Sequence, residues 1–162
     1  MDKSQKGLAG EFYTLAQLTH RGLIATLTLG NAKSVDILVT NQDLNELYKV
    51  EVKCTDRPPR KSGLFGPEKF FMWTLSKKHD EMDDTKLVYC FVCLREPSSM
   101  PDFFLVPSSD VAQYVKWQHE YWLRNTGKRE DNSSVRIFRI PASDPAGYRS
   151  NWRVFGLEEN IA

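Results

Sequence analysis

"KVEVKCT", residues 49–55, alternates two kinds of side chain: Val50, Val52 and Cys54 on one phase, Lys49, Glu51 and Lys53 on the other. A period of two belongs to a β-strand, whose successive side chains leave opposite faces. One face of this strand is apolar, and the other sets an acid and a base two residues apart. A second carboxylate, Asp36, stands in "SVDILVT" (34–40), a more apolar strand fifteen residues upstream of Glu51. Paired beside the 47–54 segment, that strand would bring Asp36 within a few ångströms of Glu51.

Two carboxylates that close repel unless something neutralises them, and a divalent cation does so efficiently. Oxygen-only donors favour Mg²⁺, which keeps several waters and takes one or two carboxylates plus a phosphate. An amine beside such an ion, here Lys53, can orient or deprotonate an attacking water, or stabilise charge on the phosphate. The combination suits hydrolysis of a phosphodiester. A lone Glu-x-Lys is the ordinary pattern of a solvated cross-strand charge pair, so the order of elements around it has to carry the reading.

That order begins with a helix over about 4–20. Leu8, Phe12, Leu15 and Leu18 fall on one face at 100° per residue, with Tyr13, Thr14 and Gln17 on the other. Glu11 lies inside the apolar stripe, where a carboxylate must snorkel to an edge or be held by something buried. Gly22 ends the helix, and His20 sits at its C-terminal end. "RGLIATLTL", "SVDILVT" and "ELYKVEVKCT" then read as three strands of an antiparallel meander. "DRPPRKSGLFGP" (56–67), with its three prolines and two glycines, reads as a loop. A short helix is expected from about Ser76, carrying Lys77, Lys78 and His79, with His79 on the surface. "KLVYCFVCL" is apolar nearly throughout, as in a strand covered on both faces.

Further along, "DFFLVP" is another strand and 108–127 a second long helix, capped by Ser109 or Asp110 and stopped by Gly127. Val111, Tyr114, Val115, Gln118, Tyr121 and Trp122 line one side of it. "SVRIFRI" and "NWRVFGL" are late β candidates. Trp73, Trp117, Trp122 and Trp152 read as packing residues rather than base-stacking ones. No linker divides the chain, so residues 1–162 are expected to form one mixed α/β domain.

The chain has 162 residues and a net charge of +1, so bulk charge alone points to neither a nucleic acid nor a membrane. Its distribution is uneven. Residues 49–78 hold 8 basic and 3 acidic side chains, a net of +5, against −1 before and −3 after. Arg57, Arg60, Lys61, Lys69, Lys77 and Lys78 are candidate phosphate contacts, which position a nucleic acid without reading its sequence. No apolar stretch reaches the roughly 18 residues of a membrane span, and a cytoplasmic location is expected. The three cysteines, Cys54, Cys90 and Cys93, read as buried thiols: "CFVC" lies on a strand pattern, where residues three apart face opposite ways.

Asp36 followed by Glu51-Val52-Lys53, behind a helix carrying Glu11 and in the order α-β-β-β-α-β, resembles the PD-(D/E)XK nuclease superfamily. The likeness covers about residues 5–94, with 95–162 as additions. It implies a restriction-endonuclease-like α+β core with a mixed central sheet, and a nuclease acting on nucleic acid, DNA above all, with Mg²⁺ or Mn²⁺ as cofactor. By the same resemblance Asp36, Glu51 and the backbone carbonyl of Val52 would bind the metal. Lys53 would be the catalytic lysine, and Glu11 would reach the metal directly or through water. Val35 stands where the namesake motif has proline. The alternative on the same fold is a non-catalytic module that binds nucleic acid or protein. For the aromatic helix at 109–125, two roles stay open, a homodimer interface and a cap.

Overall fold

The computed structural model describes residues 1–28, 35–43, 45–127 and 134–157. The expected strand ends Leu29 and Ser34 lie outside these residues. Helix α1 (Lys3–His20) opens with a capping box, Asp2 and Gln5 each accepting from the other's backbone N–H. Gly22, at φ +80°, turns the chain after it. Strands β1 (Ile24–Leu27), β2 (Ile37–Thr40) and β3 (Leu47–Thr55) form the expected antiparallel meander, with Ile37 opposite Val50.

Strands β4 (Arg60–Lys61) and β5 (Lys69–Ser76) follow, then β6 (Leu87–Cys93), β7 (Asp102–Pro107), α2 (Ser108–Thr126) and β8 (Val135–Pro141). β6 joins β3 in parallel and β7 joins β6 antiparallel, giving a five-stranded mixed sheet in the order β1-β2-β3-β6-β7. β4, β5 and β8 form a separate antiparallel sheet. The fold is the expected mixed α+β one.

Every residue of β6 is buried, because both faces of the large sheet are covered. On one side Val50, Val52, Cys90, Val92 and Leu105 pack with Leu18 of α1. On the other, Tyr89, Phe91, Phe104 and Val106 meet Phe71 and Trp73 of β5, Phe138 of β8 and Val111 and Val115 of α2. Cys90 and Cys93 fall in opposite clusters, and all three cysteines are free.

Four local expectations are corrected. The 56–67 loop contains β4 and a 3-10 turn at Gly63–Phe65, since Lys69 and Phe70 offer it a strand edge. The short helix expected from about Ser76 is a five-residue 3-10 turn, Lys77–Glu81, because strand β5 runs up to Ser76, pairing along its length with β8. "NWRVFGL" holds a 3-10 turn, Trp152–Phe155, whose two aromatics plug the α1 side of the core. α2 begins at Ser108 with no side-chain cap; Ser108 Oγ instead exchanges hydrogen bonds with the backbone of Asp84.

The face of α1 also differs. Gly10, Thr14 and Leu18 are its buried residues, while Leu8 and Phe12 are 51% and 53% exposed. Small residues win because the helix lies directly on β3. A Cβ on Gly10 would stand 2.8 Å from Cys54 Cβ and 3.0 Å from its Sγ. Thr14 Oγ1 donates to Gly10 O at 2.8 Å and lies 3.3 Å from Cys90 Sγ. Gly10→Val should therefore destabilise the protein by about 1–3 kcal/mol through overpacking. Gly7→Ala, with nothing within 4 Å of the new atom, should stabilise it by about 0.5–1 kcal/mol. Urea denaturation of both variants checks the contrast in sign.

Candidate active site

The site forms where β2 and β3 part. Their pairing ends at Ile37–Val50, and Asp36 lies one residue beyond it. Asp36 N–H donates to Val50 O at 2.8 Å. Its carboxylate then takes the place of the missing strand: Oδ2 accepts from the N–H of Val52 at 2.7 Å. The N–H and C=O of one strand residue share an edge, so the Val52 carbonyl faces the same gap.

Glu51 projects to the aromatic side of the sheet, beside Tyr89 in register on β6, and is 3% exposed. Lys53 Nζ is ion-paired to Glu51 Oε1. Oε2 is, among the described residues, the one fully buried side-chain nitrogen or oxygen without a hydrogen-bond partner. A buried polar atom left unsatisfied costs about 1–3 kcal/mol, so its solitude asks for a reason. Lys49, on the same phase of the strand, is tied to Asp84 at 2.8 Å and stays out of the cluster.

Glu11 reaches the gap from α1, on the opposite face. Burial, and then the charge of Asp36, push its carboxyl above the usual range; Lys53 pulls the other way, and Glu51 adds to the rise. The four residues singled out by sequence thus share one electrostatic neighbourhood. Glu11, Asp36, Val52 and Lys53 line a cleft of about 550 Å³. Its other walls are α1, through Lys3, Lys6 and Gly7, and the small sheet, through Arg60, Met72, Thr74 and Ile137.

Of the six basic residues expected to meet phosphates, Arg57 and Arg60 line this cleft. Lys61, Lys69, Lys77 and Lys78 do not: Lys61 and Lys69 face each other across β4–β5, and Lys77 and Lys78 sit on the 3-10 turn past the far end of β5. Lys3 and Lys6 belong to the cleft but escaped sequence reading, because no pattern links the first turn of a helix to a loop fifty residues away. Lys6 makes the link itself, bonding Asp56 at 3.0 Å.

His79 corrects another expectation. It is 2% exposed, and its Nδ1 lies 2.6 Å from the Tyr89 hydroxyl. The turn carrying it is held inward by Asp80, which takes a two-pronged hydrogen bond from Arg136 of β8 at 2.9 and 3.0 Å. Among the tryptophans, Trp73 and Trp152 are buried and Trp122 is half-buried, whereas Trp117 is exposed and stacks on Tyr121.

Comparison with solved structures matches this fold to that of a bacterial homing endonuclease, at a TM-score of 0.54 and 15% sequence identity over 94% of this chain and 90% of that one. The Holliday junction resolvase Hjc of Archaeoglobus fulgidus, an archaeal hyperthermophile, is matched at a TM-score of 0.44 and 16% identity, over 88% of this chain and 87% of the other. No family model matches the chain, and no curated protein matches it by sequence. The first likeness is one of architecture. It fits the restriction-endonuclease-like fold that the PD-(D/E)XK resemblance implies, and both structures are those of nucleases.

Two outcomes follow from the charges. Because Glu11 is harder to ionise when folded than when unfolded, its negative charge opposes folding at neutral pH. Glu11→Gln should raise stability at pH 7, with the gain shrinking as acid protonates the wild-type carboxyl. His79 goes the other way. Burial, with Lys53 and Lys78 adding to it, lowers its pKa to about 4. An unfolded histidine titrates near ~6.5, so below that pH the unfolded chain binds the extra proton. Stability should fall as pH drops from about 6.5 to about 4, and His79→Gln should flatten that dependence in denaturation curves.

Proposed function

We propose that the protein is a divalent-metal-dependent endonuclease, hydrolysing phosphodiester bonds in DNA within the cytoplasm. The observation that carries this reading is the buried, partnerless Oε2 of Glu51, on a carboxylate that shares its surroundings with two others. Burial without a partner is expected of an oxygen whose partner is a cation. The donor set fits Mg²⁺ or Mn²⁺: Asp36, Glu51 and the Val52 carbonyl offer oxygen alone, with Glu11 on the far wall. Among the described residues no three His, Cys, Asp or Glu side chains are placed to cage an ion unaided. Mg²⁺ keeps several of its waters and takes one or two carboxylates plus a phosphate, so the oxygen donors named, and not a complete protein cage, carry the reading. A bound ion would supply Lewis-acid stabilisation of the phosphoryl oxygens.

The remaining chemistry belongs to the chain. Lys53, held by Glu51 at the mouth of the gap, is placed to orient a water or to neutralise charge growing on the phosphate. Asp36 cannot swing away while it takes the Val52 N–H, so its free oxygen keeps a set direction. Arg57 and Arg60 are placed to take neighbouring phosphates through their planar guanidinium forks.

The competing reading, a binding module on the same fold, rests on the Lys53–Glu51 ion pair, which by itself is an ordinary structural contact. It leaves Oε2 unexplained. Incubating plasmid, branched DNA and RNA with Mg²⁺ or Mn²⁺ separates the two. Cleavage by the wild type should fall about 10²–10⁴-fold in Asp36→Ala and in Lys53→Ala, with both variants folded by circular dichroism. Mg²⁺ should raise the wild-type melting temperature by linkage and leave that of Asp36→Ala nearly unmoved. Wild-type cleavage rates in either variant would rule the assignment out.

A further inference from the structure

Asp110, Tyr114 and Trp117 follow one another along a single stripe of α2. Val111 and Val115, on the neighbouring stripe, are the residues that enter the core. Trp117 is 51% exposed, yet its ring is held in place. It stacks on Tyr121 at 5.4 Å and 25°, and meets Tyr114 at 5.6 Å and 52°. With Gln113 and Tyr148, the three residues of the stripe line a hollow of about 310 Å³. Among the described residues this hollow shares none with the cleft of Asp36 and Lys53.

The remaining wall comes from the loop after β8, and it is braced. Asp144 has a left-handed backbone, φ +48°, and its carboxylate accepts from the N–H groups of Tyr148 at 3.1 Å and Arg149 at 2.8 Å. Leu105 of β7 donates to the Tyr148 carbonyl at 2.9 Å. The Tyr148 hydroxyl then donates to Asp110 Oδ2 at 2.9 Å and ties the loop to the helix. A wall fixed in advance loses little freedom when something binds against it.

Aromatic faces are the negative side of a quadrupole, and Asp110 adds a full negative charge, so the hollow attracts a cation. The hydrogen bonds indicate which kind. One oxygen of Asp110 takes Tyr148 and the other takes the Ser109 hydroxyl at 3.2 Å. An ammonium that carries N–H groups is strongly hydrated and would give up its water here for few new bonds. A quaternary ammonium has no N–H to satisfy. A second hollow of about 200 Å³ adjoins the first, sharing Asp110, Tyr114 and Tyr148, and its surface is almost wholly apolar through Phe138, Ile140 and Pro145. Arg139 borders this second hollow, but its guanidinium is engaged over the Phe65 ring and with Ser62 and the Ile137 carbonyl. Asp144 on the same rim offsets its charge.

We propose that the paired hollows bind a trimethylammonium head carried on a short aliphatic stem. Tyr114, Trp117 and Tyr148 flank the head, Asp110 supplies the countercharge, and the apolar hollow takes the stem. Cation–π attraction is strongest at tryptophan and favours quaternary ammonium ligands. Each methylene seated in the apolar hollow should tighten binding about fourfold. The site has no part in phosphodiester hydrolysis, and its test stands apart from that reading.

The test follows the methyl proton resonance of tetramethylammonium in titrations with full-length protein at constant ionic strength. Ring currents should move the resonance upfield, with roughly millimolar affinity. Butyltrimethylammonium should bind about fourfold tighter or more, and ammonium chloride at the same concentration should not displace it. Trp117→Leu, at an exposed position, and Asp110→Asn, which removes the charge and little volume, should each weaken binding about threefold or more, with unchanged circular dichroism. Choline and Nα-acetyl-Nε-trimethyllysine, titrated in parallel, separate two carriers of this head group. The lysine derivative, with the longer stem, should bind the tighter. No resonance shift, displacement by ammonium, tighter binding of choline, or undiminished binding in Trp117→Leu would overturn the site.

Discussion

The hydrogen bond from the Val52 N–H to the carboxylate of Asp36 is the contact on which the site depends. A strand that loses its neighbour exposes a row of backbone donors and acceptors, and each needs an answer. Here β2 stops short of pairing with Val52, and the side chain just before its first residue answers in its place. The exchange opens an edge in the middle of a sheet, turns one carbonyl towards it and fixes one carboxylate beside it. Glu11 lines the resulting cleft from the helix side, while Glu51 is buried on the aromatic side and is joined to the cleft through its ion pair with Lys53.

The arrangement carries a stability cost. Glu51 stands beside Tyr89 with one oxygen paired to Lys53 and the other unanswered, and Glu11 is harder to ionise than a free carboxyl. Breaking a buried ion pair leaves a stranded charge, while replacing it with apolar groups is often neutral or better. Such a cluster adds little to folding.

The residues after β6 do more than decorate. β7 completes the large sheet, while β8 and α2 cover its aromatic face and pin the 3-10 turn through Arg136 and Asp80. That turn stands where a helix was expected, and it delivers His79 into the core beside Tyr89. The short turn suffices because α2 supplies the apolar cover that a longer helix would have given.

Local pattern determined a good deal of this protein. Period-two alternation placed Glu51 and Lys53 on one phase of β3, the apolar run of β6 announced a strand covered twice, and Gly22 and Gly127 marked helix ends at positive φ. The pairing of Asp36 with that strand was legible as well, since a short turn leaves a meander few other registers. Other features waited for tertiary structure, because they depend on who approaches whom. The helix face that packs was decided by the 2.8 Å clearance between Gly10 and Cys54, not by hydrophobicity. His79 is buried because β8 and α2, far along the chain, close over it. Lys3 and Lys6 entered the cleft because α1 lies across the strand that carries Lys53. Periodicity is a property of one segment and can be read from it; burial belongs to a pair of segments, and only the folded chain chooses the pair.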